Sequence, residues 1–254
     1  MSSTNTVLIT GASRGIGKGL VQTYLGHSDT VVVAAVRDIK AAQSLYTLPT
    51  SPGSSLIVIE VDVASPESIR RGIQSLTAEH QIDSLDVVVA NAAMTLSSPK
   101  LSEIGAQELQ PSIDANAYGL LELFKAVLPL LRKSKNKGKG KFMYMSSVGA
   151  SLSTMNNMFP MAAYGASKAL GNFFVKWLSL ECQDVILWAQ HPGMVATDMA
   201  KAAFKDLESQ GLDLESMALS VEQCCQKLLR LIDDATIETT HGKFLGPDGE
   251  ELQW

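Results

Sequence analysis

Tyr164 and Lys168 stand four residues apart in the run Tyr164-Gly165-Ala166-Ser167-Lys168. On a helix that spacing puts both side chains on one face. A free phenol titrates near pH ~10 and is a poor acid–base group at neutrality. A lysine cation beside it favours the phenolate and lowers its pKa. A phenol tuned in this way can hand a proton to a carbonyl oxygen as negative charge arrives there, or take the proton back in the reverse direction. The same pair on its own also describes an ordinary surface helix, so the rest of the chain has to decide.

A glycine-rich turn, Thr10-Gly11-Ala12-Ser13-Arg14-Gly15-Ile16-Gly17, follows the apolar run Val7–Ile9 and opens a helical stretch. Its spacing is G-x-x-x-G-x-G rather than G-x-G-x-x-G. The physics is the same: glycines let the backbone turn tightly against a pyrophosphate, and the helix N-terminus offers free N–H groups. The candidate contacts are Gly11, Ser13, Arg14, Gly15, Ile16 and Gly17, and an ordinary strand-to-helix turn is the plain alternative. A second apolar run, Val31–Val36, ends at Arg37, where an acidic residue would grip a ribose 2′-hydroxyl. Arg37 together with Arg14 suits a 2′-phosphate, so NADP(H) is expected over NAD(H). Asp38, one residue further on, is the competing signal.

These groups need a scaffold, and the pattern supplies one. Seven short apolar runs (Val7–Ile9, Val31–Val36, Leu56–Val61, Leu85–Ala90, Phe142–Met145, Val185–Ala189 and Lys243–Leu245) alternate with helical stretches such as Ser65–His80, Ile113–Leu131 and Val221–Asp234. Runs without polar alternation read as strands covered on both faces. Ser65-Pro66 reads as a helix start, with a serine cap and a proline in the first turn. The expected fold is α/β: a single Rossmann-type domain over 1–254, with a doubly wound seven-stranded parallel sheet and helices on both faces. A net charge of −5 argues against a nucleic-acid partner. Cys182, Cys224 and Cys225 have no disulfide or CxxC spacing, and with the four histidines they form no metal-ligand set, so no metal is expected. No run is long enough for a signal peptide or membrane span, so a cytoplasmic protein without membrane partners is expected. The stretch Arg132 to Lys141 carries six basic residues in ten and reads as a solvated loop rather than a partner patch.

Further motifs fall in order: Asp62-Val63, Asn91-Ala92-Ala93, Asn116-Ala117-Tyr118-Gly119, Ser146-Ser147, Tyr164 to Lys168, and His191-Pro192-Gly193-Met194-Val195-Ala196-Thr197. With the glycine turn, this set resembles the short-chain dehydrogenase/reductase family over nearly the whole chain. Leu85 to Met94, the long insert before Tyr164 and the tail from Gly242 to Trp254 are similar to fungal ketoreductases of aromatic polyketide secondary metabolism, the norsolorinic acid ketoreductase type. The resemblance implies an oxidoreductase with Asn116, Ser147, Tyr164 and Lys168 as its catalytic group. In it, the serine hydrogen-bonds the substrate oxygen and Asn116 holds a water that links Lys168 to solvent. A buried Asn satisfied by backbone is the alternative for Asn116. Ser147 precedes Tyr164 by seventeen residues, a long gap, so Ser146, Ser151 and Ser153 stay open. The resemblance also puts Asp62 and Val63 at the adenine, Asn91 and Ala92 beside the cofactor, and Pro192, Gly193, Val195 and Thr197 at the nicotinamide. Tyr164 and Lys168 meet the cofactor as well. His191, before a proline at a strand end, reads as packing rather than acid–base chemistry.

The expected reaction is therefore NADPH-dependent reduction of a ketone or aldehyde to an alcohol, with an aromatic polyketide ketone as the candidate substrate. Alcohol oxidation by the same residues, or a non-catalytic NADP(H)-binding sensor, are the alternatives. The insert Ala150–Met161 and a helical lid over about 198–220 should wall the substrate, with Met155, Met158, Met161, Met194 and Met199 as adaptable apolar surface or simple gap filling. Pairing through the helices of Asn116 and Tyr164 into a homodimer or homotetramer is implied by the resemblance.

Overall fold

The structure, a computed structural model, describes residues 4–95, 100–135, 139–155, 161–200 and 218–254. Seven parallel strands form one sheet: β1 (Asn5–Thr10), β2 (Thr30–Val36), β3 (Ser55–Glu60), β4 (Val87–Ala90), β5 (Lys141–Met145), β6 (Ile186–Gln190) and β7 (Phe244–Leu245). Their order is β3-β2-β1-β4-β5-β6-β7. Each of the seven apolar runs is one of these strands. The helices that matter for the site are α1 (Gly15–Leu25), α2 (Pro66–Ala78), α3 (Ala106–Ile113), α4 (Gly119–Leu131), α5 (Ala162–Glu181) and α6 (Val221–Asp233).

The strand centres are apolar because their side chains enter one of two cores. Along β1, Val7 and Ile9 point to one face and Leu8 to the other; Val32 and Ala34 oppose Val33 and Ala35 on β2, and Met143 opposes Phe142 and Tyr144 on β5. The first core is closed by Leu20, Val21 and Tyr24 of α1 and by Leu228 and Ile232 of α6. The second is closed by Ile69 and Ile73 of α2, Leu123 and Phe124 of α4, and Val175 of α5. The three cysteines are buried as free thiols, with Cys224 and Cys225 in the first core. Ser65 caps α2 as expected, its hydroxyl accepting from Ser68 N at 3.2 Å with Pro66 in the first turn.

One expectation changes in detail. The stretch Ile113–Leu131 is not one regular helix. Residues Asp114–Tyr118 form a wide π turn between α3 and α4, closed by Gly119 N donating to Asp114 O. Such turns insert one extra residue and re-aim the side chains around them. Gly119, which follows the turn, packs so tightly on the main chain of Val63 that a Cβ there would collide with the Val63 carbonyl oxygen. Among the described residues, the basic side chains between α4 and β5 are exposed, in keeping with a solvated loop. Of these, Arg132 pairs with Asp184 (2.6 Å), Lys135 with Asp83 (3.3 Å), and Lys139 donates to Gln183 O. Lys141 Nζ donates to the carbonyls of Ile232 and Asp233 at 2.6 and 2.9 Å, a cation at the C-terminal end of α6. Most of the expected lid, residues 201–217, lies outside the described residues, as does 156–160 of the insert.

A Gly119→Ala substitution is expected to destabilise by about 1–3 kcal/mol, since backbone rather than a mobile side chain must yield. Thermal unfolding checks this, with an expected fall of several degrees.

Candidate active site

The strand order reverses between β1 and β4, so the connections leaving these neighbours run to opposite faces of the sheet. In an open α/β sheet, that divergence opens a crevice at the carboxyl ends of the strands. A cleft of about 750 Å³ lies there, reaching from the glycine turn to Tyr164 and Lys168. Its floor is close-packed. Gly11 has φ +65°, and a Cβ on it would lie 2.8 Å from Ala92 Cα. A Cβ on Gly17 would strike the Gly11 carbonyl, so α1 can start directly under the turn only because glycine stands there. Asn91 fastens the two strands at the reversal, its Nδ2 donating to Thr10 O at 2.9 Å, while Thr10 Oγ1 accepts from Ala92 N at 3.0 Å.

At the β2 end of the cleft, Arg14 and Arg37 line the wall and are exposed, with no carboxylate partner among the described residues. The competing signal is removed by local geometry: Asp38 turns its carboxylate back to accept from Lys40 N at 2.8 Å and does not line the cleft. Asp62 and Val63 line the next section, where Asp62 Oδ1 accepts from Ala64 N at 3.0 Å.

Tyr164 and Lys168 share the cleft-facing side of α5, as their spacing requires. Lys168 is fully buried. Its Nζ donates to Met145 O at 2.6 Å and lies 4.6 Å from the centroid of the Tyr144 ring, against 5.7 Å for the Tyr164 ring. The sequence argument expected the lysine cation to lower the Tyr164 pKa. Here burial acts on both groups more strongly, pushing Tyr164 up to about 12 and Lys168 down to about 7. The phenol is therefore a neutral proton donor at physiological pH.

Asn116 sits in the π turn, buried, and its amide is fully engaged. Oδ1 accepts from Met94 N at 2.8 Å, and Nδ2 donates to Met94 O at 2.8 Å and to Ser167 Oγ at 2.9 Å. These bonds brace the loop after β4 against α5. Its main-chain carbonyl accepts from the Tyr144 hydroxyl at 3.0 Å.

The four serines separate by their partners. Ser146 lines the cleft, but its hydroxyl is buried against Asn172 Oδ1 at 2.6 Å. Ser147 stands beside the cleft rather than in its wall, half-buried, its Oγ accepting from Gly149 N at 3.2 Å and keeping its proton for another acceptor. Ser151 is buried and accepts from Thr154 N at 3.3 Å, while Ser153 is exposed and donates to Trp254 O at 3.1 Å.

Of the remaining candidates, Ser13, Gly15, Ile16, Pro192 and Thr197 line the cleft. Gly193 and Val195 do not. Gly193 packs near Pro247 at φ +83°, and Val195 is buried and bridged to Leu219. His191 is held by its main-chain N donating to Leu245 O at 2.7 Å, and burial pushes its ring down to about 4, so it stays neutral and packs as expected. Met94, Thr95, Met145 and Asp198 also line the cleft and were missed. Met94 lies in the loop after β4 and Met145 ends β5, and apolar residues at strand ends carry no chemical signature. Among the methionines expected near the substrate, Met199 lines the cleft, Met155 is exposed, and Met158 lies outside the described residues.

Residues 5–208 match the short chain dehydrogenase family. The chain belongs to that family. This short chain dehydrogenase is 51% identical over 250 residues to the short chain dehydrogenase gsfK of Penicillium aethiopicum, covering 98% of this chain and 99% of the relative. It is 35% identical over 260 residues to a norsolorinic acid ketoreductase of Dothistroma septosporum, covering 100% and 94%. Its structure is similar to that of the NADPH-bound carbonyl reductase from chicken fatty liver, with a TM-score of 0.85, 25% identity and full coverage of both chains. No helix among the described residues of this short chain dehydrogenase is long and apolar enough to cross a membrane.

The buried lysine makes a stability prediction. A fall in pKa from 10.5 to about 7 corresponds to a penalty of about 5 kcal/mol on the folded ammonium. The unfolded chain binds the extra proton between those values, so stability rises with pH across that window and the penalty is complete below pH ~7. Lys168→Met is expected to raise the Tm of the cofactor-free protein by several degrees at pH 6. That gain should shrink steadily towards pH 10.5, as read by thermal unfolding across the range.

Proposed function

We propose that this short chain dehydrogenase reduces a ketone or aldehyde to an alcohol with NADPH, and that its substrate is an aromatic ketone of the polyketide class. The observation that carries the reading is the neutral Tyr164 phenol beside buried Lys168 in one cleft with the glycine turn. The cleft fits NADP(H): a Cβ would fill the cradle at Gly11, the first turn of α1 has no acidic residue to repel a pyrophosphate, and Arg14 and Arg37 stand without carboxylate partners among the described residues, ready for a 2′-phosphate. When bound, the reduced nicotinamide supplies the hydride.

The chain's own groups do the rest. Gly11, Ser13, Gly15 and Ile16 present main chain to the pyrophosphate, and Gly17 lets α1 begin there. Asp62 and Val63 border the adenine. Asn91, Ala92, Pro192 and Thr197 border the nicotinamide end, with Gly193 and Val195 shaping the loop from behind. Ser147 donates its free proton to the substrate oxygen. Tyr164 gives that oxygen its proton as charge develops, and Lys168 offsets the phenolate left behind. Asn116 serves as the brace that fixes the wall opposite α5. A phenol held neutral by burial is in the protonation state that carbonyl reduction uses, while oxidation starts from the phenolate. The likeness to a norsolorinic acid ketoreductase over both full chains supports an aromatic substrate, and the methionines at the cleft suit a flat apolar ring system.

The test is NADPH and, separately, NADH consumption against a panel of aromatic and aliphatic ketones. Turnover with NADPH is expected, falling roughly 10²–10⁴-fold in Tyr164→Phe. Arg37→Ala should raise the KM for NADPH roughly tenfold and leave NADH unaffected. Activity surviving in Tyr164→Phe overturns the reading. With alcohol and NADP⁺, the rate should instead climb with pH as phenolate forms.

A homodimer through α4 and α5 belongs to the same proposal. Phe173, Trp177 and Leu180 are exposed along α5, the first two stacked with centroids 5.9 Å apart, and Tyr118 is exposed at the start of α4. An apolar face of that kind is characteristic of an interface. Trp177→Glu is expected to shift the protein to monomer in analytical ultracentrifugation, and a wild type that sediments as a monomer would contradict it.

A further inference from the structure

We propose that Tyr144 is a positioning residue of this reductase: its ring holds the Lys168 ammonium in the cleft, and its hydroxyl pins the π turn at Asn116 to β5. The proposal rests on the roles of Tyr164 and Lys168 given above. Lys168 has 0% exposure and no carboxylate partner among the described residues. One of its N–H groups is used by Met145 O, and its charge lies over the face of Tyr144 at 4.6 Å from the ring centroid. The negative face of an aromatic ring is the group that can steady a desolvated cation there. The ring is itself held on two sides. Its hydroxyl donates to Asn116 O at 3.0 Å, and a Cβ on Gly171 of α5 would lie 2.6 Å from its Cζ, so the helix closes on the ring only because glycine is present. Burial and the neighbouring Tyr164 push the Tyr144 phenol well above its ordinary value, so it remains a donor. Tyr144 thus ties three elements together: β5, which also carries Met145; the π turn; and the helix bearing Tyr164 and Lys168. The titratable groups facing Lys168 are Tyr164 from its own helix and Tyr144 from β5. Arg14, Arg37, Asp62 and Asp198 line the same cleft, and none of them is in contact with its ammonium.

The test replaces Tyr144 by Phe, which keeps the ring, and by 3,4,5-trifluorophenylalanine, which keeps its shape and removes the negative face. Each is made with and without Lys168→Met, and the Tm of the cofactor-free protein is followed from pH 5 to 11. The difference that Lys168→Met makes in each background isolates Lys168. In wild type and Tyr144→Phe that difference should begin to shrink near pH 7. In the fluorinated variant it should begin about one pH unit lower, because the ammonium has lost its support. Coincident curves for the Phe and fluorinated variants overturn the role of the ring. In the reductase assay, Tyr144→Phe should lower kcat roughly fivefold with the ketone KM unchanged, and an unchanged kcat overturns the role of the hydroxyl. If wild type reduces no carbonyl with NADPH, the functional reading fails, while the thermal curves still decide whether Tyr144 holds Lys168.

Discussion

The buried ammonium of Lys168 sets the terms for everything around it. A lysine taken out of water with no carboxylate beside it is destabilising, and the fold tolerates it through weaker partners: one carbonyl on β5 and the faces of two aromatic rings. A carboxylate would make a more stable core. It would also neutralise the charge that has to act on Tyr164 and hold Lys168 in one protonation state. Leaving the cation supported only by dipoles and ring faces keeps it poised near neutral pH, where it can respond when the neighbouring phenol changes charge. In the proposed mechanism, stability lost at this position is therefore part of how the site would work.

The sheet provides the frame that makes such a placement possible. Seven strands packed on both faces give the rigidity that a strained cation needs. The reversal between β1 and β4 is the one place where the packing must open, and the chain fills it with residues that have small or absent side chains. Gly11 and Ala92 are in contact distance across it, and Asn91 replaces the missing ladder bonds with its own amide. The same geometry that denies space to a Cβ brings the main chain of the glycine turn to the wall of the cleft. Cradle and brace come from one set of contacts. The two arginines at the β2 end sit outside this tight zone, exposed, where a long side chain has room to meet a bulky anion.

Strands and helices were legible because their signals are periodic and local. Val31 to Val36 reads as a two-faced strand from its composition alone, and Ser65-Pro66 marks the start of a helix by chemistry that depends only on neighbours. Tyr164 and Lys168 were legible because four residues is one helical turn. What could not be read depends on groups far apart in the chain. The partners of the Asn116 amide depend on where Met94 and Ser167 come to rest, residues 22 and 51 positions away. The pKa of Tyr164 was misjudged for the same reason: spacing shows that a lysine is near, but the depth of burial belongs to the packed whole. Ser146 and Ser147 are adjacent in sequence and differ in partners, one donating to Asn172 and the other accepting from Gly149 N, because extended backbone sends them to different sides. The π turn has no sequence signature beyond a glycine that also fits a regular helix.

Two tyrosines flank the same lysine, and the fold gives them different work through a single hydrogen bond. Both phenols are held neutral by burial. The Tyr144 hydroxyl is directed at a main-chain carbonyl, an acceptor that cannot take its proton, so it is fixed as a strut. The Tyr164 hydroxyl makes no hydrogen bond among the described residues and faces the cleft, where a polarised carbonyl oxygen can accept from it. Proton transfer needs a donor whose acceptor changes basicity during the reaction; the Asn116 carbonyl is not such an acceptor, and a substrate carbonyl at Tyr164 in the proposed reaction would be. The Asn116 carbonyl, which sits in the π turn, is what separates the two hydroxyls: it engages Tyr144 and leaves Tyr164 to the cleft.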